Sequence, residues 1–280
     1  MDLGKRSWQQ KTCVLASVNL MLKGGIMKTK ILVYLAAMVL GMIMTFVPLS
    51  FVTSGSVALA QNNILPVDHF WCYEQIGYVP ALDITLRDHF YAADIKTYVG
   101  FSFRFCNPVD KHFQGKSTPI TNPYSHLKMY VVRPLSVETR TVVVSNQFGT
   151  HHLQVHRPVV LAVPTQKNTL PPSKDLDHFL CYEADGPSPR NGRVTLHDQF
   201  RTEDVKVLNP YLFCNAAEEI DAAGNVVPGT EILHPGTHLL CYMTTKAPFV
   251  GIVLVNNRFE VNEGTSVGDA DMLCVPSQLL

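Results

Sequence analysis

The chain has 280 residues, 46% hydrophobic and 16% charged, and its 23 basic and 23 acidic side chains balance to a formal net charge of +0. Six of the 23 basic groups but one of the 23 acidic groups lie in positions 1–60, so residues 61–280 carry 17 basic and 22 acidic groups, a net of −5. A mildly acidic body without a Lys/Arg cluster argues against nucleic acid or an anionic membrane surface as its partner.

The first 60 residues read as a leader. Lys5, Arg6, Lys11, Lys23, Lys28 and Lys30 precede an uncharged run from Ile31 to Ala60. Met27-Lys-Thr-Lys supplies a basic n-region, ILVYLAAMVLGMIMTFVPLSFV an apolar h-region, and Ala58-Leu59-Ala60 a small-x-small cleavage site ahead of Gln61. Residues 1–60 are therefore expected to be a signal peptide removed after Ala60, with translation starting at Met1 or Met27. The protein is then secreted, periplasmic or at the cell surface. An uncleaved run of this length would instead anchor the chain in a membrane. The remaining residues, about 220, suffice for two domains of ordinary size.

Beyond the leader, one unit recurs four times. His-[Phe/Leu]-x-[Cys/Met]-Tyr begins at His69, His126, His178 and His238. An aliphatic-x-aliphatic-x-[Asp/Asn]-x-Phe motif follows each time, ending at Phe90, Phe148, Phe200 and Phe259. FCNP, LAVP, FCNA and LCVP, starting at 105, 161, 213 and 273, close the units. Units one and three share Asp-His-Phe, Asp-x-Phe and Cys-Asn, whereas units two and four share His-Leu, Asn-x-Phe and Val-Pro. The array is A-B, A-B. The first two motifs alternate with period two, and turn formers such as Asn107-Pro108, Asn191-Gly192 and Asn209-Pro210 lie between motifs. Thr202-Glu203-Asp204 resembles a helix start but runs into VKVL, where β-branched residues favour a strand.

The expected fold is all-β, with roughly three strands per unit. Each A-B pair is expected to form one β-sandwich or β-barrel-like domain of pseudo-twofold character, one at 61–164 and one at 176–280, because closure or layering removes exposed strand edges. Residues 165–175, within the Pro- and Ser-containing PTQKNTLPPSKD, are expected to form the linker.

Seven cysteines occur, and Cys13 falls in the leader. The other six lie two per unit in units one, three and four: Cys72 and Cys106, Cys181 and Cys214, Cys241 and Cys274. Unit two carries Met129 and Ala162 at the matching positions, so both members are missing together. Six cysteines in an exported chain imply disulfides, and joint loss implies pairing within a unit. Zinc-type thiolate sites need close ligand pairs, and no CxxC is present.

Several side chains are chemically suggestive. On a strand, Phe70 and Cys72 point to one face and His69, Trp71 and Tyr73 to the other. A His beside a Tyr can serve as acid or base. Four equivalent copies fit repeated packing better than a single reaction centre. Position 71 varies as Trp71, Lys128, Leu180 and Leu240; the lysine implies solvent access, so Trp71 is a candidate stacking surface for a sugar ring or a partner. Asp88 and Asp198 interchange with Asn146 and Asn257, which suits an Asx turn, since both residue types accept backbone hydrogen bonds. His152 and His156 share a strand face and are candidate metal ligands, and Asp269 and Asp271 with Glu260 and Glu263 are a weaker calcium candidate. No nucleophile elbow, zincin, P-loop or dinucleotide motif occurs, and no catalytic residue or cofactor is nominated.

The succession HFxCY, VxLxDQF, LCNP, HLxCY, VxVxNQFG, LCVP resembles a domain of unknown function found, often in tandem, in secreted bacterial proteins. The resemblance covers residues 67–164 and 176–276. It implies export and tandem architecture and no activity. Departures are Met129 and Ala162, and Arg258-Phe259-Glu260 in place of Gln-Phe-Gly. The expected function is an exported, non-catalytic structural or binding module for a cell-surface or extracellular partner, a glycan among the candidates. The alternative is a secreted hydrolase or carbohydrate-active protein with unrepeated acids and histidines from 149–156 and 260–271 gathered in a cleft between the two domains.

Overall fold

A computed structural model describes residues 67–91, 93–134 and 139–280. The expected signal peptide, its expected cleavage site and Cys13 lie outside the described residues.

Each unit supplies three strands. Unit one has β1 (Phe70–Gln75), β2 (Leu82–Asp88) and β3 (Ile95–Pro108), followed by short β4 (Asp110–Phe113) and β5 (Lys116–Thr118). Unit two has β6 (Leu127–Pro134), β7 (Arg140–Asn146) and β8 (Gly149–Pro164), followed by β9 (Gln166–Lys167). Unit three has β10 (His178–Asp185), β11 (Arg193–His197) and β12 (Thr202–Ile220), and unit four β13 (His238–Ala247), β14 (Gly251–Asn256) and β15 (Glu263–Leu279). The described residues contain no helix, and Thr202 opens a strand as its β-branched successors require. Asn191, in the left-handed region with φ 56°, makes the expected turn between β10 and β11.

The first and last strands of the units form a closed antiparallel ring. Its order is β1-β3-β6-β8-β10-β12-β13-β15 and back to β1. Closure thus runs across the two halves of the chain, through β8 with β10 and β15 with β1, and this corrects the expectation of two separately closed domains. The reason is edge satisfaction: each half contributes four ring strands with two free edges, and the halves saturate one another. All described residues belong to one compact unit. The expected linker is partly built into it, since β9 pairs with β14 and Lys167 is buried.

One face of every ring strand joins a single buried cluster that includes Phe70, Cys72, Met129, Ala162, Phe179 and Cys274. A face shared by all members of a closed ring is its inside, and an eight-stranded barrel is just wide enough to be filled by side chains. Within this core Cys72 faces Cys106, Cys181 faces Cys214 and Cys241 faces Cys274 across adjacent antiparallel strands. The three disulfides are formed, with Cα–Cα separations of 4.0, 3.9 and 3.9 Å. Met129 faces Ala162 in the same register, so unit two fills the identical site with one large and one small side chain.

Each closing strand shifts register twice, at equivalent places, against the ring strand of the next unit. At one of the two, Phe103, Val159, Tyr211 and Asp271 are the extra residues opposite β6, β10, β13 and β1. Bulges bend a strand, and the part of each strand before these shifts turns away to pair with the second strand of its own unit. Those hairpins cover the outer wall of the ring, where Tyr73, Tyr130, Tyr182 and Tyr242 join the larger buried cluster. The far edge of each hairpin is held by the diagonal unit: β2 by β12, β7 by β15, β11 by β4 and β14 by β9.

Candidate functional site

The repeated Tyr and Asp/Asn side chains form the joints between diagonal units, whereas of the repeated His side chains His69 and His238 meet only the neighbouring unit, at Gln147 and Asn215. At every Asx position Oδ1 accepts the backbone N–H of the Phe two residues on, at 3.0 Å for Asp88, 2.9 Å for Asn146, 2.8 Å for Asp198 and 2.8 Å for Asn257. These are the expected Asx turns. The second Asx atom meets a tyrosine of the opposite unit. Tyr73 donates to Asp198 Oδ2 at 2.9 Å and Tyr182 to Asp88 Oδ2 at 2.7 Å, while Asn146 donates to Tyr242 at 3.0 Å and Asn257 to Tyr130 at 2.9 Å.

The polarity of the joint reverses between unit types. In units one and three the carboxylate takes a second donor, Asn107 at 2.9 Å on Asp198 and Asn215 at 3.0 Å on Asp88. In units two and four the Asn amide donates onward, to Ser277 Oγ and Thr165 Oγ1, both at 3.0 Å. The tyrosine hydroxyls there need another acceptor, and find Glu260 Oε1 at 2.5 Å from Tyr130 and His151 Nε2 at 3.0 Å from Tyr242. Burial first, and then the facing carboxylate, push the Tyr73, Tyr130 and Tyr182 hydroxyls far above their ordinary range, and burial does the same for Tyr242. All four stay protonated donors. Burial lowers the His151 pKa, so its neutral ring can accept.

The rest of the first motif is equally committed to packing. Asp68 takes the backbone N–H groups of Thr121 and Asn122, both at 2.8 Å, and Asp177 those of Leu233 at 2.6 Å and His234 at 3.1 Å. Each acid thus pins the loop leading to the next unit. Trp71 is 0% exposed and packs 5.4 Å from the Tyr73 ring, so the stacking surface expected there is closed to ligands. Nor does Lys128 mark solvent access at this position, contrary to what a lysine there implies. Lys128 is 0% exposed, because its Nζ is met inside the protein by Glu260 Oε2 at 2.6 Å and Thr265 Oγ1 at 3.0 Å. Two further lysines are buried over aromatic rings. Lys111 lies 4.7 Å from the Phe148 centroid with its pKa pulled down by burial to about 7, and Lys167 lies 3.8 Å from that of Phe200 with a pKa of about 8 from the same cause.

The candidate metal ligands do not converge. His156 engages Asp185 Oδ2 at 2.9 Å and Thr139 Oγ1 at 3.4 Å, while His152 faces solvent opposite Val143. Glu260 is held by Lys128 and Tyr130, Asp269 caps the Phe249 N–H at 3.2 Å, and Asp271 pairs with Arg104 at 2.8 Å. Among the described residues no group of three or more His, Cys, Asp or Glu could hold a metal ion. The acids and histidines from 149–156 and 260–271 are therefore dispersed among separate contacts.

One open groove, of about 550 Å³, lies outside this repeated scheme. Pairing of β2 with β3 and β12, and of β3 with β6, lays a small sheet whose inner face is closed by Ile84 and Leu86. On its outer face Asp83, Tyr98 and Arg133 stand opposite one another in one row across β2, β3 and β6, and Thr85 faces Lys96 in the next row on that face. The turn from Asp221 to Asn225 borders it, fixed by Asp221 Oδ1, which accepts the Ala223 and Asn225 N–H groups at 2.9 and 2.8 Å. Glu219, another lining residue, is paired with Arg258. Tyr98 is 36% exposed, and Asp83, Lys96 and Arg133 are exposed. No repeat motif pointed to this groove, because it arises where a hairpin of unit one meets the end of unit three.

No curated protein and no solved structure matches the chain. Residues 136–276 match the model of a repeat of unknown function, DUF7450. With half of its length matched, and with the four-unit architecture in place, the chain belongs to that family of repeats.

Proposed function

We propose that this protein is an exported, non-catalytic binding module. The observation that carries the reading is the fate of the repeated reactive-looking groups: each Tyr and each Asp/Asn of the four units is engaged in an internal joint, while the unrepeated groove on β2, β3 and β6 offers an open surface to a ligand. A groove of this volume is within the range of small-molecule sites. Three disulfides in the barrel core suit an oxidising compartment, and the basic-apolar-small order of residues 27–60 suits export.

Fractionating a producing strain, sequencing the exported chain from its N-terminus and incubating it with chromogenic ester, glycoside and peptide substrates tests both parts. The expected result is material starting at Gln61 that turns over none of them. Retention of the chain inside the cell overturns export. Turnover that disappears on changing a groove residue overturns the non-catalytic reading.

A further inference from the structure

We infer that the groove on β2, β3 and β6 binds an acidic glycan, a saccharide carrying carboxylate groups. The inference rests on the binding-module reading and names its ligand class. Three observations lead to it. First, the floor is an aromatic side chain between polar neighbours: Tyr98 stands between Asp83 and Arg133 in one cross-strand row, with Thr85 and Lys96 in the next. Neighbouring strands are about 4.8 Å apart and alternate residues about 6.8 Å, so the two rows cover on the order of 10 by 7 Å, the footprint of one or two pyranose rings. An aromatic ring offers a face for the C–H face of a sugar, with its hydroxyl available at the edge.

Second, these groups are unspent. Neighbouring charges on the same sheet are paired, Arg87 with Asp94 at 2.9 Å and Glu218 at 3.2 Å, and Glu219 with Arg258. Asp83, Thr85, Lys96, Tyr98 and Arg133 make no side-chain hydrogen bond or ion pair with the described residues. Third, the unpaired charges of the floor rows lean to one sign. Asp221 keeps its negative charge in the bordering turn and Glu219 pairs with Arg258, so the two floor rows themselves carry two unpaired cations, Lys96 and Arg133, against one carboxylate, Asp83. A wholly neutral sugar would give Lys96 and Arg133 no anionic partner. A ligand with a carboxylate for Lys96 and Arg133, a ring face for Tyr98 and hydroxyls that donate to Asp83 and Thr85 uses every group present.

The test is titration calorimetry on the oxidised protein produced from the full-length gene. The probes are oligogalacturonate, a hyaluronan oligosaccharide, the methyl-esterified oligogalacturonate as the neutral counterpart, and a hexaglutamate peptide. Binding of at least one acidic saccharide is expected, about tenfold tighter than the neutral counterpart. Tyr98→Ala and Arg133→Ala should each weaken it by about tenfold or more, whereas Tyr98→Phe should retain it. All three positions are exposed, and an unchanged melting temperature would show that the variants fold. The proposal is overturned if neither acidic saccharide binds, if binding ignores Tyr98→Ala and Arg133→Ala, or if hexaglutamate binds as tightly as the saccharides and independently of Tyr98. Should the protein capture another ligand while both acidic saccharides are silent, the glycan assignment fails and the module reading stands. Turnover of the saccharide lost in a groove variant would remove the module reading itself.

Discussion

The diagonal pair of units one and three and the diagonal pair of units two and four build the same joint with opposite polarity. In the first pair a carboxylate accepts two donors, Tyr73 and Asn107 on Asp198, or Tyr182 and Asn215 on Asp88. In the second an amide donates twice and the tyrosine must find an acceptor elsewhere, Glu260 for Tyr130 and His151 for Tyr242. The backbone is common to all four; the matched donor and acceptor sets are not. Interchanging a single Asp and Asn is therefore harmless to the Asx turn, which uses only Oδ1, and harmful to the joint, which depends on the other atom. The second pair is also the more fragile, because it contains a buried ion pair and its unit two has no disulfide.

Breaking that ion pair should give the largest effect. Glu260→Leu leaves Lys128 charged and unpartnered in a fully buried position and is expected to cost about 3–5 kcal/mol in urea unfolding. Combining it with Lys128→Leu, the residue found at the same place in units three and four, should recover most of the loss. Next comes the core. Replacing Cys241 and Cys274 together by Ala should cost about 3–4 kcal/mol. In unit two the converse change, Met129→Cys with Ala162→Cys, should close a fourth bridge, since the two residues already stand opposite each other; a loss of two hydrogens in the non-reduced mass would report it.

Reversing polarity in one joint should be smaller. Asp198→Asn turns an amide donor toward Tyr73 and Asn107 and is expected to cost about 1–3 kcal/mol. Adding Asn107→Asp restores one donor facing one acceptor, and a double-mutant cycle should show positive coupling between the two sites. If the pair of changes is no better than the single one, the joint does not act as a unit.

The mildest test is the pH dependence of the melting temperature. Burial holds His126 at about 3 and His238 at about 4, below the ordinary 6.5, so between those values the unfolded chain binds more protons and stability falls as the solution is acidified. The full contribution of these histidines is present above 6.5. Lys111, lowered from 10.5 to about 7, adds a further rise in stability between those two values as pH increases, because only the unfolded state is still protonated there. Lys111→Met should reduce that alkaline rise to the share of Lys167, lowered by burial to about 8, and leave the His126 and His238 contributions to the acid limb in place.

Much of the scaffold was legible in the chain. Period-two motifs and the spacing of the repeats led to three strands per unit, and the joint absence of both cysteines from unit two led to the disulfide pairing; of the turn dipeptides Asn191-Gly192 makes its turn, whereas Asn107-Pro108 and Asn209-Pro210 lie inside β3 and β12. The Asp/Asn interchange revealed the Asx turns. A further signal was present but unread: Asp88 and Asp198 accompany Asn215 and Asn107, whereas Asn146 and Asn257 accompany Ser277 and Thr165. Trp71 and Lys128 misled because a side chain's polarity does not reveal whether its partner waits in solvent or 132 residues away in the chain.

Local sequence alone determined which segments are strands, which face of each carries sulfur and apolar groups, and which cysteines are partners. Those properties depend on alternation, turn chemistry and chain separation, all of which act within a unit. Tertiary structure alone decided that the halves share one barrel, that each hairpin is held by the unit diagonal to it, and that Asp83, Tyr98 and Arg133 line up across three strands. Such contacts depend on which free edge meets which, and a repeated unit offers the same edges four times.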